Sequence, residues 1–87
     1  MHFDFGIKGK FYVEGKEFVA SDEDTANVVK YFGFVAYTGQ FIIMKEDDTT
    51  PTAITYRFAT GNTGYGVAWT GRAALTYTTY DQMTAAF

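Results

Sequence analysis

One histidine, one serine and no cysteine limit the nucleophilic chemistry open to this 87-residue chain. A Ser-His-Asp arrangement would require His2, beside the N-terminus where chains fray, to meet Ser21 in an acid-rich stretch. The simpler expectation is an exposed terminal ring and a loop cap. Without cysteine there is no disulfide framework, thiolate metal site or cysteine nucleophile. Two acidic clusters, Asp22-Glu23-Asp24 and Glu46-Asp47-Asp48, offer oxygen ligands. Neither has the alternate-position spacing, central Gly and terminal Glu of a calcium loop, so solvated acidic loops are the expectation. Paired carboxylates for glycoside hydrolysis need a deep cleft that so short a chain rarely builds. Gly61, Gly64 and Gly66 follow neither the dinucleotide fingerprint nor a phosphate loop, and no Lys-Ser/Thr pair comes after them. The residues therefore point to no catalytic group, no metal ligand set and no cofactor.

The side chains that remain to be explained are aromatic. Nine Phe, seven Tyr and one Trp stand among the 87 residues, and each ring can remove about 150–250 Å² from water. A chain of this length buries only about 60–65% of the surface its unfolded state exposes, so large rings compensate for few residues. Exposed rings such as Tyr65 and Trp69 can also stack on sugars or unpaired bases. Base stacking normally comes with a cationic groove. Here seven Lys and Arg are scattered against ten acids, net charge −3, which disfavours nucleic acid and anionic membrane as partners. The longest apolar run, Tyr31 to Tyr37, falls far below the roughly 20 residues of a membrane helix. Met1 to Gly6 lacks the charged-then-apolar plan of a signal peptide, so the expectation is a soluble protein made in the cytoplasm.

These groups must be positioned by short β elements. Lys10–Val13 and Lys16–Ala20 flank Glu14-Gly15, a two-residue turn by composition. Ser21-Asp22-Glu23-Asp24 breaks the alternation, fitting either a brief capped helical turn through Asn27 or an acidic loop. Val28–Tyr37 and Gln40–Glu46 flank Thr38-Gly39; a tight two-residue turn there would pair Val35 with Ile42, Gly33 with Met44, and Phe34 with Ile43. Pro51 belongs in the following connection. Thr52–Ala59 alternates Ile54, Tyr56 and Phe58 against Thr55 and Arg57, as an edge strand with one wet side does. Val67–Trp69 and Arg72–Leu75 read as helical turns interrupted at Gly71, and Leu75–Thr79 as extended. Thr79-x-x-Gln82 has the capping-box pattern before a short helix carrying Tyr80, Met83 and Phe87 on one side. The fold class is mainly β: one small domain over residues 1–87, an antiparallel meander or sandwich with short helical turns near the C-terminus.

The middle hairpin is apolar on both faces. Phe32, Phe34 and Ala36 point one way and Tyr31, Val35 and Tyr37 the other, where a half-buried strand would alternate apolar with polar. So short a chain has little left to cover a second face, and copies of itself are the natural cover. The expected interface residues are Tyr31, Val35, Tyr37, Ile42 and Met44 with Tyr80, Met83 and Phe87 of the C-terminal helix.

Ala68-Trp69-Thr70-Gly71-Arg72-Ala73-Ala74-Leu75-Thr76-Tyr77 resembles the W-x-x-R-A-x-L-x-Y ending of small proteins encoded among tailed-bacteriophage structural genes. Tyr31 to Glu46 and Tyr56-Arg57-Phe58-Ala59 are similar to the hairpin and strand that precede it in that group, so the likeness spans about residues 31–77. Gly71, where the group has a more polar residue, and Phe41, where it has Trp, depart from the pattern. The resemblance implies a non-enzymatic virion component of the tail or head–tail region, localised in the particle, with other virion proteins and further copies of itself as partners. Within the motif, Trp69, Arg72, Leu75 and Tyr77 take a structural role, the Arg72 guanidinium resting on the indole three residues earlier. The other classes to weigh are a soluble phage-encoded inhibitor whose acidic loops mimic nucleic acid, for which −3 is a small charge, and a sugar-binding domain using Tyr65 and Trp69.

Overall fold

The computed structural model describes residues 10–84; His2, Phe87 and the Met1 to Gly6 stretch lie outside the described residues. Five strands, β1 (Lys10–Val13), β2 (Lys16–Asp24), β3 (Val29–Val35), β4 (Phe41–Asp47) and β5 (Thr55–Gly61), form one antiparallel sheet in sequence order, curled into a half-barrel. The expected meander is the fold. Helix α1 (Tyr65–Thr70), a 3₁₀ turn (Arg72–Ala74) and helix α2 (Tyr80–Thr84) follow. Gly71 ends α1, its N–H bonding Val67 O at 3.1 Å, and so divides the two helical turns.

Two hairpin turns show how local chemistry sets register. Glu14 and Gly15 both have positive φ, 51° and 79°, the pairing that a two-residue primed turn needs to match strand twist. The second turn differs from its expectation. Ala36 N–H bonds Gln40 O at 2.9 Å and Gly39 N–H bonds Ala36 O at 3.0 Å, with Gly39 at φ 95°. The loop is therefore Tyr37-Thr38-Gly39, one residue longer than Thr38-Gly39, with the glycine in the left-handed position such loops demand. Val35 consequently opposes Phe41, Phe34 opposes Ile42 and Phe32 opposes Met44. Because side chains alternate with period two, this single extra residue moves Ile42 and Met44 from the outer face to the concave one.

On the concave face Val13, Phe18, Phe32, Phe34, Ala36, Ile42, Met44, Phe58 and Met83 make one cluster. Helix α2 closes it by inserting Met83, which is 2% exposed, and by setting Tyr80 edge-on to Phe58 at 5.5 Å. At the start of α2 the Thr79 hydroxyl donates to Asp81 Oδ1 at 2.6 Å. Thr78 pairs with Phe58 through two 2.8 Å backbone bonds, tying the extended residues before α2 to the edge of β5.

Candidate functional site

The outer face of the sheet is where the chain's polar and aromatic groups converge. Its first determinant is a bulge in β2. Ala20 opposes Phe34 but Asp22 opposes Gly33, leaving Ser21 as an extra residue. Beyond Ser21 the phase of the strand is reversed, so Asp22 and Asp24 join the outer face. The Ser21–Asp24 stretch is thus strand, correcting the expected helical turn or loop. A bulge keeps the ladder going while aiming two carboxylates at what lies above.

What lies above is the strap from α1 to Tyr77. Gly33 leaves a socket between Asp22 and Ile43, and the Tyr65 ring fills it, so closely that a Cβ on Gly33 would collide with the phenol. Tyr65 Oη donates to Asp22 Oδ2 at 2.7 Å and its ring meets Phe41 edge-on at 5.8 Å. One helical turn later Trp69 stacks on Tyr65 at 6.1 Å between centroids. Residues i and i+4 of a helix share a face, which is why six residues suffice to present both rings.

Arg72 ties this layer to the sheet. Its guanidinium lies 4.4 Å from the Trp69 ring and 5.6 Å from that of Tyr31. Nη2 donates to Asp24 Oδ2 at 2.8 Å and Nη1 to Trp69 O at 2.7 Å. A planar cation can bond along its edge while its faces stack, an arrangement that lysine's ammonium cannot copy. Tyr77 Oη donates to Arg72 O at 2.7 Å, its ring stands 6.2 Å from Tyr31, and Lys45 Nζ lies 4.8 Å from its centre. Leu75 is half-buried and closes the 3₁₀ turn, its N–H pointing to Arg72 O at 3.4 Å.

The electrostatics follow from these contacts. The hydrogen bond from Arg72, aided by the Ala26 N–H, holds Asp24 below the usual carboxylate range. Burial, and for Tyr65 the bond to Asp22, pushes the Tyr65 and Tyr77 phenols far above their usual range. Neither ring ionises at any physiological pH.

No protein-family model, curated protein or solved structure matches this chain.

The geometry separates the residues singled out from sequence. Ile42 and Met44, both 0% exposed, and Met83 belong to the chain's own core and are not on a free surface. Tyr31 is half-buried beneath Tyr77 and Arg72; Val35 is half-buried between Val19 and Phe41; Tyr80 is half-exposed; Tyr37, at the hairpin tip, is 99% exposed. On the second face of β3 and β4 the strap covers Tyr31, Gly33 and Phe41, and leaves Val35 beside the exposed Val19. The acidic clusters are also engaged: Asp48 bonds Lys30 Nζ at 2.7 Å, and Asp47 Oδ1 accepts from Thr49 N–H at 2.9 Å. Among the described residues no group of three or more His, Cys, Asp or Glu is placed to hold a metal, and no helix is long and apolar enough to cross a membrane. Gly33 is not among the site residues the sequence marks, and Asp22 and Asp24 enter there only as possible cation ligands, not as partners of Tyr65 and Arg72. Gly33, inside an otherwise bulky strand, was the available signal, since such a glycine marks close approach by another group.

Proposed function

We propose that this chain is a non-enzymatic structural subunit of a tailed-bacteriophage particle, associated with the tail or head–tail region, that assembles with copies of itself and with other virion proteins. The observation that carries the reading is the contrast between a closed interior and an open aromatic rim. The motif that resembles phage structural proteins is absorbed in holding the strap, with Trp69, Arg72 and Tyr77 bonded or stacked within the chain. Tyr37 at 99% and Tyr12 at 64% exposure, with Val19 at 41% beside the half-buried Val35, are left to offer apolar contact. Stacking of Tyr65 and Trp69 on each other, with Arg72 over the Trp69 ring, favours this reading over sugar binding by those two rings.

Mass spectrometry of purified particles tests the proposal. Stoichiometric recovery of the chain in particles is the expected result. Its presence in infected cytoplasm alone would overturn the structural role in favour of a soluble binding module.

A further inference from the structure

We draw no further inference here: the strongest candidate, the exposed apolar strip of Tyr12 and Val19 beside Val35 on the outer face of β1–β3, belongs to the surface already proposed for assembly, and nothing in the structure shows what covers it.

Discussion

The ring of Tyr65 stands where a side chain on Gly33 would have to go. Strand and strap are therefore fitted to each other at one point: the missing Cβ of β3 admits the phenol, and the phenol reaches across to Asp22 of β2. Gly33→Ala is expected to destabilise the fold by about 1–3 kcal/mol, the usual cost of overpacking. For a domain of this size each kcal/mol lowers the melting temperature by about 4–8 °C. Tyr65→Ala is destabilising by itself, but the double variant should cost clearly less than the two single changes together, because the clash disappears with the ring. Urea denaturation of the four proteins measures the coupling, and strict additivity would refute the socket.

Arg72 is expected to be irreplaceable by lysine. Arg72→Lys keeps the charge but loses the fork that bonds Asp24 and Trp69 O together, and the flat faces that meet Trp69 and Tyr31. A loss of about 1–3 kcal/mol is expected from hydrogen bonds to a charged group. Asp24→Asn should cost less, since a half-exposed ion pair contributes little by itself. Equal stability of Arg72→Lys and the parent in chemical denaturation would show that the guanidinium geometry does not matter.

Deleting Ser21 tests the bulge. Without it, Asp22 follows Ala20 directly and opposes Gly33 in an unbroken ladder, so Asp22 and Asp24 keep the outer face, and what is lost is the local bend and twist of the bulge. The deletion is expected to keep a cooperative thermal transition, followed by near-ultraviolet circular dichroism, at a lower midpoint. Ser21→Ala preserves the extra residue and should change stability by no more than about 0.5 kcal/mol, as exposed substitutions usually do. A deletion variant that melts like the parent would mean that the bend of the bulge contributes nothing to seating the strap.

Stability should fall at both ends of the pH scale, for different groups. Asp24, Asp47, Asp48 and Asp81 are all held below the ordinary carboxylate value near 3.8, chiefly by hydrogen bonds to Arg72, Thr49, Lys30 and Thr79 respectively. A depressed folded value means that the contribution is complete above the unfolded value and lost as pH falls through the folded one. The loss therefore begins below about pH 4. Tyr65 and Tyr77 lie on the opposite side: their raised folded values give a contribution that is complete below pH 10.0 and fades as pH rises beyond it. Phenolate absorbance should show these two rings ionising only as the protein unfolds, and Tyr65→Phe should flatten the alkaline decline. Titration of all described tyrosines before any loss of fold would contradict the burial of the strap.

Much of this fold was legible from alternation and turn chemistry. Glu14-Gly15 marks its turn because glycine tolerates positive φ, and the strand runs on either side give the meander. Thr38-Gly39 is less decisive. The same glycine serves a two-residue or a three-residue loop, and only the backbone bonds across Ala36 and Gln40 select the longer one. Period-two alternation turned that one-residue difference into a wrong face for Ile42 and Met44. The strap was half legible: the three-residue spacing of Trp69 and Arg72 anticipates their stacking, but neither residue says that the pair will lie over Tyr31 and Asp24. Ser21 carries no local mark of a bulge, because the reversal of phase depends on a strap more than forty residues away, through contacts such as Asp22 with Tyr65.

Glu14 gives a stabilising prediction. Its φ of 51° is a left-handed conformation that a residue with a long side chain seldom takes, whereas asparagine accepts it readily. Glu14→Asn should raise stability by about 0.5–1 kcal/mol, within the range of compatible turn substitutions. Since the position is exposed, the change touches no packing contact. A lower urea midpoint in the variant would indicate that the turn is not of the primed type.

Assembly makes the sharpest demand on Val35 and Tyr37, the two expected contact residues on the tip side of the outer face. Ile42→Asp and Met44→Asp place a charge in the chain's own core and should unfold it, so they say nothing about partners. Tyr37→Asp alters a ring that is 99% exposed and should leave the melting temperature of the isolated chain almost unchanged. If copies pack through this rim, the same substitution buries a carboxylate against a neighbour and lowers the assembled mass seen by light scattering. Val35→Asp, at a half-buried position, should show that loss together with a modest drop in stability. Oligomers of Tyr37→Asp and Val35→Asp that match the parent in mass and concentration dependence would remove this surface from the assembly, leaving the particle role to stand on mass spectrometry alone.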